Sequence, residues 1–308
     1  MSVMLSLRPL GPALGAEVVG VDVSKKLEPD TLAWVERAFA EHPVLVFRDQ
    51  RLNADELAAF GAQFGAPQPH ILEQYRHEDR MDVSYITNVD KNGGVDRFGV
   101  IRASTWHTDE TYEDKLPRLA ILHAIEVPSA GGGTMFADMR AAHDALPEAT
   151  RRRLDGLVGL HGRTDGPDAV KLYGEAYTRS SNKMRPERRH PAIRKHPLTG
   201  RSVLFVNPTH THGFEGLTDD EGVRLIEELR DHATQERFVY YHAWRVGDVL
   251  MWDEIATMHR GAADARPEER RVMLRTIVHG GPLRLPPYPP DARGDEVPIP
   301  MPPDARGD

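Results

Sequence analysis

Apolar positions along this chain alternate between two periods, and that alternation maps the elements before any chemistry is considered. Residues 14–22 (LGAEVVGVD) read as a short strand, Asp30 caps a helix through Trp34, Val35, Ala38 and Phe39, and Val44 to Phe47 is a buried strand. Asn53 with Glu56 forms a capping box for a second helix, with Leu57, Phe60 and Phe64 on one face. From 66 to 104 the pattern breaks up around Pro67, Pro69, Gly93, Gly94 and many charges, which predicts a long loop with one strand at Val83 to Thr87. Leu119 to Val127 is a strand that stops at Pro128 and at Gly131, Gly132 and Gly133.

Residues 138–233 read as helix-rich. Pro147 opens a helix with Leu154, Leu157 and Val158 inward, and Thr218 with Glu221 caps another with Leu225, Ile226 and Leu229 inward; Val203 to Val206 is a short strand between them. Strands at Arg237 to His242, Val249 to Trp252 and Val272 to Val278 follow. Short strands on both sides of a helical insertion predict a mainly β fold with helices: a double-stranded β-helix of the jelly-roll or cupin-like kind. We expect one domain over 1–285 and a Pro-rich tail over 286–308, where PPDARGD occurs at 289–295 and again at 302–308.

Composition narrows the chemistry. The 308 residues include no cysteine, so any protein-bound metal must be held by histidine and carboxylate rather than thiolate. A net charge of -8 argues against nucleic acid as partner, and Arg151 to Arg153 and Arg185 to Arg189 read as solvated faces. The first twenty residues lack a basic n-region with an unbroken apolar h-region, and no stretch has the apolar length of a membrane span, so a cytoplasmic location is expected. In that setting the Arg-Gly-Asp tripeptides are not read as adhesion motifs.

The residues 106–109, WHTD, carry the first chemical signal. On an extended strand, side chains two apart share a face, so His107 and Asp109 can offer an imidazole and a carboxylate to one ion. Two histidines and a carboxylate suit Fe(II) and leave neighbouring positions open, which calls for a distant histidine. His259, in MHRG at 258–261, is the choice. The next strand carries Arg270, Arg271 and Arg275; Arg271, Met273 and Arg275 share one face, the one polar enough to meet a pocket. A guanidinium there would hold the far carboxylate of a diacid chelating the metal.

These pieces, together with GGGT at 131–134, EGL at 215–217, GDVLMWD at 247–253 and RRVMLRT at 270–276, resemble the taurine dioxygenase and 2,4-dichlorophenoxyacetate dioxygenase (TauD/TfdA) group of Fe(II)/2-oxoglutarate-dependent oxygenases over most of the chain. The resemblance implies Fe(II) on His107, Asp109 and His259, with 2-oxoglutarate and O2 as cosubstrates. It places Thr134 and Arg271 on the distal carboxylate, with Arg270 as the alternative because the spacing from His259 is one residue longer than usual. Arg275 would sit beside the cosubstrate or contact an acidic substrate. The implied reaction is hydroxylation of a small anionic molecule, with C–O or C–N cleavage where the product is unstable. A homo-oligomer, dimer or tetramer, is the ordinary expectation for such a chain. Glu254 and Leu274 depart from the asparagine and histidine usual at those places.

Candidate substrate residues are His70, Tyr75 and Asn88 in the long loop, and His210 and His212, whose HxH spacing also allows a second metal. His123, His161, His190, His196, His232 and Trp252 read as core or surface residues. Two rival classes are a zinc hydrolase or lyase using the same His/Asp/His set, and a β-barrel binding protein without catalysis. The first would have no use for an arginine at the inner end of the pocket.

Overall fold

The computed structural model describes residues 5–280 except 71–72, 91, 97–98, 100–102, 114, 164–165 and 175–186. The proposed tail at 286–308 lies outside the described residues. One large sheet runs in the order Ser6–Pro9, Ala16–Val19, Val44–Phe47, Val249–Asp253, Pro117–Glu126, Val272–His279, Ala66–Gln68, with Ser84–Thr87 also paired to Val272–His279. Its pairings are antiparallel except that between Ala16–Val19 and Val44–Phe47.

Both faces of this sheet are covered, which is why Val44–Phe47 and the first four residues of Val249–Asp253 are apolar without interruption. Leu45, Phe47, Ile121, Met251, Leu274 and Val278 pack under the helices Pro29–Glu41 and Ala54–Ala62. Their neighbours one residue along, Val44, Val46, Leu122, Leu250, Trp252, Met273 and Ile277, face the other way. There they meet Phe136 and Trp244, around a second sheet ordered Val239–His242, Thr134–Asp138, Thr257–Gly261. The result is the expected jelly-roll core of two facing sheets, open at their edges rather than closed as a barrel.

The capping boxes at Asn53/Glu56 and Thr218/Glu221 are both formed, and Leu225, Ile226 and Leu229 are buried. The first helix differs from expectation. It starts at Pro29 with Glu28 as the N-cap, so Asp30 lies in the first turn and caps nothing. The helix after Pro147 spans only Glu148–Leu154; Gly156 turns the chain with φ 73° and Val158 opens a strand.

Residues 138–233 contain four helices among the described residues, Met139–Asp144, Glu148–Leu154, Pro167–Tyr173 and Asp219–Ala233, but also five short strands. Val158–His161, Arg188–Pro191 and Thr211–Phe214 form a three-stranded sheet, and Ile193–Lys195 pairs with Ser202–Leu204. "Helix-rich" therefore describes half of the insertion. Segments such as RRHP and IRK are too short and too polar for a period to register.

Candidate active site

His107 and His259 come from distant parts of the sequence and are tied through their main chains. The His107 N–H donates to the His259 carbonyl at 2.9 Å, and the His259 N–H returns the bond at 2.7 Å. His259 sits in Thr257–Gly261, a strand the apolar pattern did not announce, which pairs with Thr134–Asp138. His107 lies on an isolated bridge rather than in a strand, and the chain turns directly after it, with Glu110 at φ 54°. The convergence of His107 and Asp109 thus arises from a bridge followed by a turn, not from the face of an extended strand as expected.

One donor atom from each of His107, Asp109 and His259 lies within 4.8 Å of the others, and this is the one such group among the described residues. His107 Nδ1 is 2.8 Å from the Thr105 carbonyl oxygen. A carbonyl only accepts, so Nδ1 carries a hydrogen and Nε2, 3.5 Å from Asp109 Oδ1, is the nitrogen turned toward the group. Burial, reinforced by the neighbouring His107, holds the His259 ring well below the usual histidine range and hence neutral.

Burial opposes the charge on Asp109, but the Arg275 guanidinium and the nearby imidazoles outweigh it and hold the carboxyl below its ordinary range. Arg275 donates to Asp109 Oδ2 at 2.9 Å. On the other side, the Asp109 N–H donates to Glu254 Oε2 at 3.0 Å, and burial together with the Asp109 charge pushes the Glu254 carboxyl well above its usual range. Trp252 covers the cluster, its ring 4.8 Å from that of His259.

A cavity of about 210 Å³ opens beside this group, lined by His107, His259, Arg275, Leu122, Ile86 and Trp252 and by Gly132, Thr134 and Arg271 among others. Thr134 Oγ1 accepts from Trp244 Nε1 at 2.9 Å and from Arg271 Nη2 at 3.4 Å. Arg271 Nε donates to the Gly132 carbonyl at 2.9 Å. Burial lowers Arg271 to about 10, which leaves it charged at neutral pH. Arg270 points the other way, to an exposed pair with Glu126 at 2.7 Å. Both arginines lie just before the strand Val272–His279, and of the two only Arg271 faces the cavity.

The candidate substrate residues are spread out. Asn88 lines the cavity, but its amide is engaged with main chain: Oδ1 accepts from the Arg271 N–H at 2.8 Å and Nδ2 donates to the Glu269 carbonyl at 2.8 Å. Tyr75 donates to Asp96 at 3.1 Å and meets His70 edge-on, and neither ring lines the cavity. His210 is buried against Tyr112 and His107, with ring centroids 5.0 and 6.3 Å away. Burial and His107 push it down to about 3, so it is neutral. His212 instead pairs with Glu187 at 3.2 Å, so the HxH pair has no shared ion site with a third donor among the described residues.

Sequence reasoning left Trp244, Glu254 and His196 without a role. His196 donates to the buried Asp253 at 2.9 Å, and Asp253 also accepts from the N–H groups of Ile255 and Ala256, which shapes the turn leading to His259. Two acids directly after the apolar run VLMW were the available signal, since acids in such a place must be paired or protonated.

Residues 6–277 match the model of the family described as taurine catabolism dioxygenase TauD, TfdA family, and the chain belongs to that family. It is 35% identical over 276 residues to the alpha-ketoglutarate-dependent 2,4-dichlorophenoxyacetate dioxygenase of Cupriavidus pinatubonensis, covering 85% of this chain and 95% of that one. It is 30% identical to pentalenolactone F synthase of Streptomyces avermitilis, covering 92% and 96%. Among solved structures, AAD-2 in complex with Mn(II) and N-oxalylglycine superposes with a TM-score of 0.79 at 30% identity, covering 90% of this chain and 97% of that one.

Proposed function

We propose that this protein is an Fe(II)- and 2-oxoglutarate-dependent dioxygenase that hydroxylates a small organic acid, so that 2-oxoglutarate, O2 and R–H become succinate, CO2 and R–OH. The observation that carries the reading is that one cavity is lined both by His107 and His259 of the metal-binding group and by Arg271 and Thr134. A hydrolase has no need of a buried guanidinium and hydroxyl in the wall of that cavity.

The donor set fits Fe(II): two imidazoles, that of His259 held neutral by burial, and one ionised carboxylate, with open positions left over. His259 Nδ1 is buried without a hydrogen-bond partner among the described residues. When bound, the iron supplies oxygen activation, which no side chain here can perform.

The chain's own work is positioning. Arg271 and Thr134 hold the distal carboxylate of 2-oxoglutarate, the guanidinium as a charged fork and the threonine as a hydroxyl already oriented by Trp244. Arg275 balances the charge of Asp109 and faces the cavity, where its Nε, buried and unpaired among the described residues, is available to an anionic group. Trp252, Leu122 and Ile86 keep water from the reacting end. The 2,4-dichlorophenoxyacetate relative supports a carboxylate-bearing substrate, and His210, buried with its ring 6.3 Å from that of His107, is a candidate contact for it. We also propose a single domain over 1–285 and assembly as a dimer or tetramer.

Anaerobic addition of Fe(II) and 2-oxoglutarate should produce a weak visible charge-transfer band, and admitting oxygen should release succinate, stimulated by the right acid from a panel. His259→Ala should remove both signals. An unchanged spectrum combined with zinc-dependent hydrolysis would sink the proposal.

A further inference from the structure

The loop joining the His259 strand to the Arg271 strand crosses the cavity wall and is pinned at one point by a carboxylate. Asp264 Oδ1 accepts the Gly132 N–H at 2.7 Å, and its Oδ2 accepts the Tyr241 hydroxyl at 2.8 Å. Gly132 is the residue whose carbonyl receives Arg271 Nε at 2.9 Å. The same glycine is therefore gripped from both sides, by Asp264 through its N–H and by Arg271 through its C=O.

The surrounding packing leaves this turn little room. A Cβ on Gly131 would lie 2.4 Å from the Asp264 carbonyl oxygen, and one on Gly133 would lie 2.3 Å from Tyr241 Cζ. Gly131 and Gly132 both have φ 70°, a region where glycine is free to move unless held. The Ala262 N–H bond to the Gly133 carbonyl, 2.9 Å, closes the turn onto the loop.

We propose that Asp264, which is not among the residues lining the cavity, is a positioning residue for 2-oxoglutarate: it fixes the Gly132 carbonyl and so aims the Arg271 guanidinium at the distal carboxylate. The inference rests on the reading of the cavity given above. Asp264 is also the first acid whose field favours the charged form of Arg271 against its burial. With the Gly132 anchor lost, the Arg271 main chain stays held by Asn88 at the start of the strand Val272–His279, but its side chain loses the bond that orients its fork.

The test is direct binding, not turnover. Mn(II) affinity and then 2-oxoglutarate affinity of the Mn(II)-loaded full chain are measured by calorimetry for wild type, Asp264→Ala, Asp264→Asn, Tyr241→Phe and Glu268→Gln, the last removing an exposed acid of the same loop. Asp264→Ala should weaken 2-oxoglutarate about five- to tenfold with Mn(II) affinity unchanged. Asp264→Asn, whose amide oxygen still accepts the Gly132 N–H, should recover most of the loss, Tyr241→Phe should fall between, and Glu268→Gln should match wild type.

Wild-type 2-oxoglutarate affinity in Asp264→Ala, or a parallel loss of metal and cosubstrate, would overturn the assignment. If Asp264→Ala does not fold, equal affinity of Asp264→Asn, Tyr241→Phe and Glu268→Gln would do so as well. Failure of the wild-type protein to bind 2-oxoglutarate would remove the functional reading and this inference with it.

Discussion

Two adjacent arginines show how much one position matters. Arg270 and Glu126 form an exposed ion pair, the kind worth about 0–1 kcal/mol. Arg270→Ala is therefore expected to leave 2-oxoglutarate KM within about twofold of wild type. Arg271→Ala removes a buried charge aimed into the cavity, and its kcat/KM for 2-oxoglutarate should fall about a hundredfold or more. Lysine at 271 should recover little, because it cannot reproduce the fork. The alternation rule favoured Arg271 before any coordinates. What the sequence could not show was its partner, the main chain of a glycine 139 residues away.

Asp253 carries a pH consequence. Burial opposes its charge, but His196 and two main-chain N–H groups outweigh burial and hold it below its ordinary value of 3.8. A carboxyl lowered on folding stabilises the protein above its unfolded pKa, and that contribution fades as pH falls through the folded one. Melting temperature is thus expected to drop below about pH 4 in wild type, and to depend less on acid in Asp253→Asn, at a lower plateau. A pH profile of thermal melting for both proteins checks this.

At the level of elements, the caps and the doubly covered strands were legible because each has a local signature. Thr218 and Glu221 form the box that the spacing announced, and Thr218→Ala should cost about 1 kcal/mol by chemical denaturation. The strand Thr257–Gly261 was illegible for a physical reason: its residues alternate weakly, and the main-chain bonds that hold it go to Thr134–Asp138 and to His107, all distant in sequence. The glycine run signalled a turn but not why three glycines are needed. Tyr241 and Asp264 supply that reason, and Gly133→Ala should shift Tyr241 and lower the melting temperature, an effect of about 1–3 kcal/mol.

For the whole molecule, the fold class could be read from strands flanking an insertion, whereas the mixture inside that insertion could not. The site draws on residues 107, 109, 134, 259, 271 and 275, so neither end of the chain holds it alone. Ligands that bind only the folded state raise its stability by mass action, by about 2.7 kcal/mol at a hundred times Kd. Adding Mn(II) and then 2-oxoglutarate should raise the melting temperature in two successive steps, the second absent in Arg271→Ala. A single step from metal alone in wild type would count against a diacid site.

The paired main-chain bonds between His107 and His259 set the separation of the two imidazoles through the backbone itself. The scaffold is thus preorganised, and metal capture need not wait for a remote segment to close. Amide hydrogen exchange gives this a measurable form: the protons at 107 and 259 should be released together, only in openings that pull the two chain segments apart, and chelation should leave their protection largely intact.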